Sequence, residues 1–211
     1  MAVEPGYRGL RQTQNRKALL ASAEELFGVN GSAAITVDDI VARAGVAKGT
    51  FYNHFRDKDD IEAQIALMIR IEIRDRIAAL KSDSDDPAMH IAIAANEFLR
   101  LAVERPRRAQ ILAALLTASA DANAAMNAPL RKTLELGTSQ GRFSIRSMEA
   151  AMLLVVGTVA AGIRNLTERN APTSHAAIPD LVLHILMGLG LQDLEAAKQI
   201  AGSVASQSRP Q

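Results

Sequence analysis

The chain has 211 residues and a formal net charge of +1. That length is enough for two domains with substantial cores, and the charge is too balanced to draw in a polyanion by bulk attraction alone. Cysteine is absent, which excludes disulfide scaffolds, thiolate metal sites and cysteine nucleophiles and accords with a reducing, cytoplasmic setting. Hydrophobic residues make up 48% of the chain, yet aromatics are only 3% and tryptophan is missing; this alanine- and leucine-rich balance predicts an all-α fold.

The first helix is expected from Thr13 to Phe27, where Leu19, Ala23, Leu26 and Phe27 form one apolar stripe. Ahead of it lies a basic arm, Arg8, Arg11, Arg16 and Lys17, in a segment with no apolar core of a secretory signal. The sequence GVNG, 28–31, ends the helix, with Gly28 or Gly31 free to take a left-handed cap. Thr36 followed by Asp39 has capping-box spacing, so a second helix runs from about Val37 to Ala44, and Gly45 breaks it. A short third helix covers about Ala47 to His54.

Asp57, with Asp60 three residues on, starts a fourth helix at Lys58. Ile69, Ile71 and Ile73 alternate with charges as a strand would. The longer row Ile61, Ile65, Ile69, Ile73 and Ile77 recurs every four residues and favours one helix to Leu80. After a polar linker, helices are expected over about Pro87–Val103, Pro106–Ser119, Ala122–Leu136, Ser147–Glu168 and Ile178–Leu189. A last short one around Leu194–Val204 precedes a disordered tail, 206–211. The most apolar run, Ala150–Ile163, is 14 residues long; it is too short to span a bilayer, so no membrane partner is expected.

The second and third helices are joined by a few residues with glycine at the corner, which is what a helix-turn-helix needs. At 100° per residue, Phe51 and Phe55 point inward toward Ile40, Ala44 and Val46. Gly49 and Asn53 point outward; Thr50 and His54 flank one side, Lys48 and Tyr52 the other. This face offers an ammonium, a hydroxyl, a phenol, an amide and an imidazole, groups that bond phosphate oxygens and base edges. Gly49 costs a helix about 1 kcal/mol relative to alanine, and in return its bare backbone admits a closely fitting partner. Thr36, Lys58, Arg11 and Arg16 surround the face as candidate phosphate contacts. Within residues 1–60 eight acids balance eight bases, so placement of charge, not excess, must supply the attraction.

The stretch TVDDIVARAGVAKGTFYNHFRDKDDI, 36–61, resembles the DNA-binding segment of TetR/AcrR-type transcriptional regulators. The matching residues are Thr36, Ile40, Ala44-Gly45-Val46, Lys48-Gly49-Thr50-Phe51-Tyr52, His54-Phe55 and Lys58; with the first helix the resemblance covers about residues 13–65. Where the family commonly has alanine four residues before the turn glycine, this chain has Val41, which predicts altered packing between the second and third helices. The resemblance implies a three-helix DNA-binding head, 1–57, and a larger helical ligand-binding and dimerisation domain, 58–205. It implies a homodimer on a near-palindromic operator of double-stranded DNA, acting as a repressor released by a small-molecule effector, without a cofactor.

Past residue 80 only the helical rhythm carries over, and the effector's contacts are expected from residue type. Met68, Ile71, Leu112, Leu115 and Met126 would be aliphatic lining, and Asn96, Thr117, Arg164 and Asn165 polar contacts. The helix holding Met152, Val155, Val156, Val159 and Ile163 is apolar on all sides and so must be covered on several. Pairing it with Ile178, Leu181, Val182, Ile185, Leu186 and Leu189 of the next helix across a two-fold axis would do this. His54, His90, His175 and His184 show no metal-ligand spacing, and no Ser/His/Asp arrangement stands out, so neither a metal nor an enzyme is expected. The rival reading is a helical ligand- or protein-binding dimer without a DNA function. The polar face of the third helix argues against it.

Overall fold

A computed structural model describes residues 5–80, 85–118, 127–168 and 176–207. Among these the chain forms α1 (Pro5–Asn30), a single 3₁₀ turn (Ser32–Ala34), α2 (Val37–Ala44), α3 (Lys48–Tyr52) and α4 (Lys58–Ala79). There follow α5 (Pro87–Glu104), α6 (Pro106–Ala118), α7 (Ala128–Ser139), α8 (Met148–Glu168), α9 (Ala177–Gly188) and α10 (Leu194–Gln207). The fold is all-α, as expected, and no strand occurs among the described residues. The chain divides into two compact units after Arg70, inside α4, rather than at the head of that helix.

Several elements differ from their expected bounds. The basic arm is part of α1, which begins at Pro5 despite Gly6 and Gly9; the Arg, Gln and Lys residues around them are good helix formers. At its other end α1 runs through Gly28, and Gly31 takes a positive φ of 74° with ψ at 152°, outside the left-handed helical region expected of a cap. α3 is shorter than expected. α7 continues through Gly137-Thr138-Ser139, expected as loop; Gly137 serves close packing, because the Phe143 ring lies where a β-carbon would stand. Ala122–Met126, the expected start of that helix, lies outside the described residues. Ser206 and Gln207 close α10 instead of starting a tail, and 208–211 lies outside the described residues.

The first unit is built on Leu19, Ala23 and Phe27 of α1, Ile40 of α2, Phe51 and Phe55 around α3, and Ile61 and Ile65 of α4, all buried. In the second unit α5 packs against α6, α7, α8, α9 and α10. Asp86 caps α5 by accepting from the Ala88 N–H at 2.9 Å and also holds Arg142, whose Nε and Nη2 donate at 3.0 and 2.7 Å.

By length and composition α8 is long and apolar enough to cross a membrane, longer than the 14-residue run alone suggests. Of its apolar stretch, however, 44% is buried inside the unit itself. Met152, Val155, Val159 and Ile163, expected at a dimer interface, are buried within the single chain, as are Ile178, Val182, Ile185, Leu186 and Leu189. Only Val156 and Leu181 of that set keep intermediate exposure. The cause is the packing of α8 against α5, α6 and α9, with Gly162 approached so closely that a β-carbon there would lie 2.6 Å from Leu99. Among the residues that α8 and α9 leave outside are Leu153, Gly157 and Ala161, and His184, Met187 and Gly188.

Candidate nucleic-acid interface

Helix α2 is fixed at both ends. Thr36 and Asp39 form the capping box: the Asp39 N–H donates to Thr36 Oγ1 at 3.2 Å, and Asp39 Oδ2 accepts from the Thr36 N–H at 2.9 Å and from its hydroxyl at 2.6 Å. Those hydrogen bonds from Thr36 hold the Asp39 carboxyl below its ordinary pKa. At the far end Gly45 sits at φ 66°, ψ 32°. Its N–H donates to Ala42 O at 3.3 Å and that of Val46 to Val41 O at 3.1 Å, the paired bonds of a Schellman stop that a residue with a β-carbon makes only under strain. Ile40 and Val41 are both buried here, so the valine found in place of alanine is absorbed into the packing.

α3 turns its apolar side down. Phe51 and Phe55 are buried, with ring centroids 5.5 Å apart, and Tyr52 meets the Phe51 ring edge-on at 5.4 Å. Tyr52 is therefore anchored by its ring yet 53% exposed, as an amphipathic side chain at an interface should be. Gly49 is exposed, and a β-carbon there would meet nothing within 4 Å. Lys48 and Asn53 are exposed beside it, with Thr50 and His54 partly so. All six residues that the helical wheel placed on the outer side are thus at least partly exposed.

The surrounding cations are less uniform than expected. Lys48 Nζ lies 3.0 Å from Asp38 Oδ2 and 2.8 Å from Oδ1, and the hydrogen bond and charge of Asp38 raise its pKa. Lys58 donates to the Ser32 carbonyl at 2.8 Å, which ties the start of α4 to the 3₁₀ turn. Arg16 donates to Gln64 and stacks 5.4 Å over the Phe55 ring, a contact that braces α1 against α4. Arg11 is exposed on α1, and the side chain of Arg8 lies outside the described residues. Thr36 caps α2, as its spacing from Asp39 predicts, and its hydroxyl proton and backbone N–H both go to Asp39. Asp38 is the residue that sequence spacing misses: it stands ten positions from Lys48 on another helix, where no periodicity connects them.

The expected effector residues do not share one environment. Asn96 and Leu112 are buried, whereas Met68 and Ile71 are 45% and 40% exposed, and Arg164 and Asn165 are exposed near the end of α8. Met126 and the side chains of Leu115 and Thr117 lie outside the described residues.

Comparison with known proteins points the same way as the geometry. Residues 19–65 match the profile of bacterial regulatory proteins of the tetR family. The chain is 30% identical over 78 residues to the HTH-type transcriptional repressor DhaR of Mycobacterium sp. (strain GP1), a match that spans 37% of this chain and 39% of that repressor. Its fold is that of RolR, solved in complex with resorcinol, at a TM-score of 0.68 and 24% identity over 96% of this chain and 97% of the other. It is also that of a putative tetR family transcription regulator from Shewanella sp. PV-4, at a TM-score of 0.68 and 20% identity over 82% and 96% of the two chains. A gamma-butyrolactone receptor (ArpA-like protein) matches at 0.63 and 18% identity over 93% and 100%.

Proposed function

We propose that this chain, whose residues 19–65 match the profile of bacterial regulatory proteins of the tetR family, is a ligand-released repressor that holds duplex DNA with the open face of α3. The observation that carries this reading is Gly49. It is an exposed helical glycine with open space over it, set among Lys48, Tyr52 and Asn53 on a helix anchored from below by Phe51 and Phe55. A bare backbone brings the helix axis close to the groove floor. Asn53 then reaches base edges, the Tyr52 hydroxyl and the Lys48 ammonium reach phosphate, and Thr50 and His54 contact the flanks. Lys58 keeps donors beyond the one given to Ser32, and Arg11 supplies charge from α1. Arg16 contributes mainly by holding α1 in place.

Two copies would set their α3 helices into successive major grooves about 34–36 Å apart, which calls for a near-palindromic operator. The pairing surface is the outward strip of α8 and α9, Leu153, Gly157 and Ala161 with His184, Met187 and Gly188. This strip replaces the buried residues expected from the sequence; Gly157, which has open space where a β-carbon would stand, and Ala161 allow two helix pairs to approach closely. The effector is a small organic molecule held by the second unit, a reading supported by the resorcinol bound to RolR, which shares this fold. Such a molecule releases DNA by binding more tightly to a form of the dimer that grips the operator poorly, and the difference in affinity sets the size of the effect.

Selection of bound duplexes from a random pool tests the reading and yields the operator. The expected product is a sequence with two-fold symmetry. Lys48→Ala and Tyr52→Phe should each weaken binding on the order of tenfold, with unchanged melting temperatures. Affinity unaltered in both variants would take the face out of DNA recognition and favour the helical dimer without a DNA function.

A further inference from the structure

Asp38 has no part in capping α2, since Asp39 takes both protons that Thr36 offers. Its carboxylate lies instead against Lys48, with both oxygens within 3.0 Å of Nζ. The two side chains are 69% and 54% exposed, so only their mutual attraction and water hold them. The neighbouring acid–base pair is separate: Glu25 is engaged by Arg43. A carboxylate on an ammonium offers the same charge-assisted acceptor as a phosphate oxygen. Lys48 therefore approaches DNA with an anion already in hand.

We propose that Asp38 is an affinity-determining residue of the DNA-binding face, an internal anion that competes with backbone phosphate for the Lys48 ammonium. The inference rests on the DNA-binding reading above. A phosphate that takes Lys48 must displace Asp38, which then gathers a counterion of its own, or else must tolerate the carboxylate beside it. In the first case the cation released from the phosphate is offset by the one taken up at Asp38, so Lys48 adds little to the salt dependence of binding. Phosphate contacts carry no base information, so the attenuation applies to every sequence. It keeps the protein from being held on random DNA by a contact that does not distinguish one sequence from another.

The test measures binding of the full-length protein to a random-sequence duplex across a salt series, for wild type, Asp38→Asn, Lys48→Gln and the double variant. Asp38→Asn should tighten binding on the order of tenfold at low salt. It should also steepen the slope of log affinity against log salt by about 0.9, the value for one more phosphate neutralised. In the Lys48→Gln background the same change should yield neither gain. An affinity gain that persists without Lys48 would mean general repulsion between Asp38 and DNA and would overturn competition for the ammonium. Unchanged binding in Asp38→Asn would overturn the proposal, as would weaker binding, the sign of a carboxylate that accepts from a cytosine amine. Wild type that fails to bind duplex DNA at any salt would remove the DNA-binding reading and this proposal together, whereas wild type that binds while Asp38→Asn does not tighten removes the proposal alone.

Discussion

In the first unit Lys48 meets Asp38 at the surface, with both side chains more than half exposed. In the second, Glu97 stands between Arg76 at 3.5 Å and Arg100 at 3.8 Å with only 3% of its side chain exposed. Glu104 joins both arginines from two turns further along α5, and Glu72 holds Arg105 and Arg108 at 2.7 and 2.6 Å. The charge chemistry is the same and the consequences differ. An exposed pair adds little to stability and exchanges partners readily. A buried one has already lost its hydration, so removing one member strands the others. The first unit keeps its ions available to a partner; the second commits them to joining α4, α5 and α6.

Removal of Glu97 is the strongest way to break that contrast. Glu97→Ala should lower the free energy of unfolding by about 3 kcal/mol, the low end of the range for a broken buried pair, because Glu104 still serves both arginines. Asp38→Ala should leave the urea midpoint where it is. Equal midpoints for the two variants would mean that burial does not separate the two sets of ions.

Asp86 and Arg142 lie between these extremes and sharpen the contrast through pH. Burial pushes the Asp86 carboxyl up, but the Arg142 hydrogen bonds, the Ala88 N–H and nearby positive charge together outweigh it and leave the pKa lowered. A carboxyl whose folded pKa lies below its unfolded value adds stability above the unfolded value, about 3.9 for aspartate. That contribution is lost as pH falls through the folded value. Arg142→Ala should cost about 1.5 kcal/mol near pH 7, a charge-assisted hydrogen-bonding effect reduced by partial exposure. In urea titrations the gap between wild type and variant should close as the pH drops below about 4. A gap that stays constant down to acid pH would mean that Arg142 contributes packing and not charge.

The same division separates what the sequence discloses from what it hides. The capping box at Thr36, the stop at Gly45, the inward Phe51 and Phe55 and the outward Gly49 are relations within one helix or across one turn, and their spacing is enough to find them. Lys48 with Asp38, Lys58 with the Ser32 carbonyl and Arg16 over Phe55 join different elements, and no period in the chain encodes such a meeting. In the second unit the all-round apolarity of α8 correctly demands cover on several sides. Composition says how much must be covered and not by what, so the buried side chains of Met152 and Ile163 read equally well as interface or as core. The effector lining is illegible for the same reason, since Leu112 in a packed core and Leu112 beside a ligand present the same residue type.

The smallest expected effect in stability is also the most discriminating. Gly162 in the second unit is closed in: a β-carbon there would lie 2.6 Å from Leu99. Gly49 meets nothing within 4 Å, so Gly49→Ala adds no clash to the free protein and removes backbone freedom from the unfolded chain. It should raise stability by about 0.5 kcal/mol, less than a mid-helix glycine would yield because α3 is short and Gly49 lies in its first turn. Operator binding should move the other way, because the new methyl group occupies the space that lets α3 approach the groove. A solvated helix face with no partner predicts the gain in stability alone. Stability and affinity that change in opposite directions follow only if that space is filled when DNA is bound. A variant that melts higher and binds as tightly as wild type would show that the open side of α3 is not the side that meets the duplex.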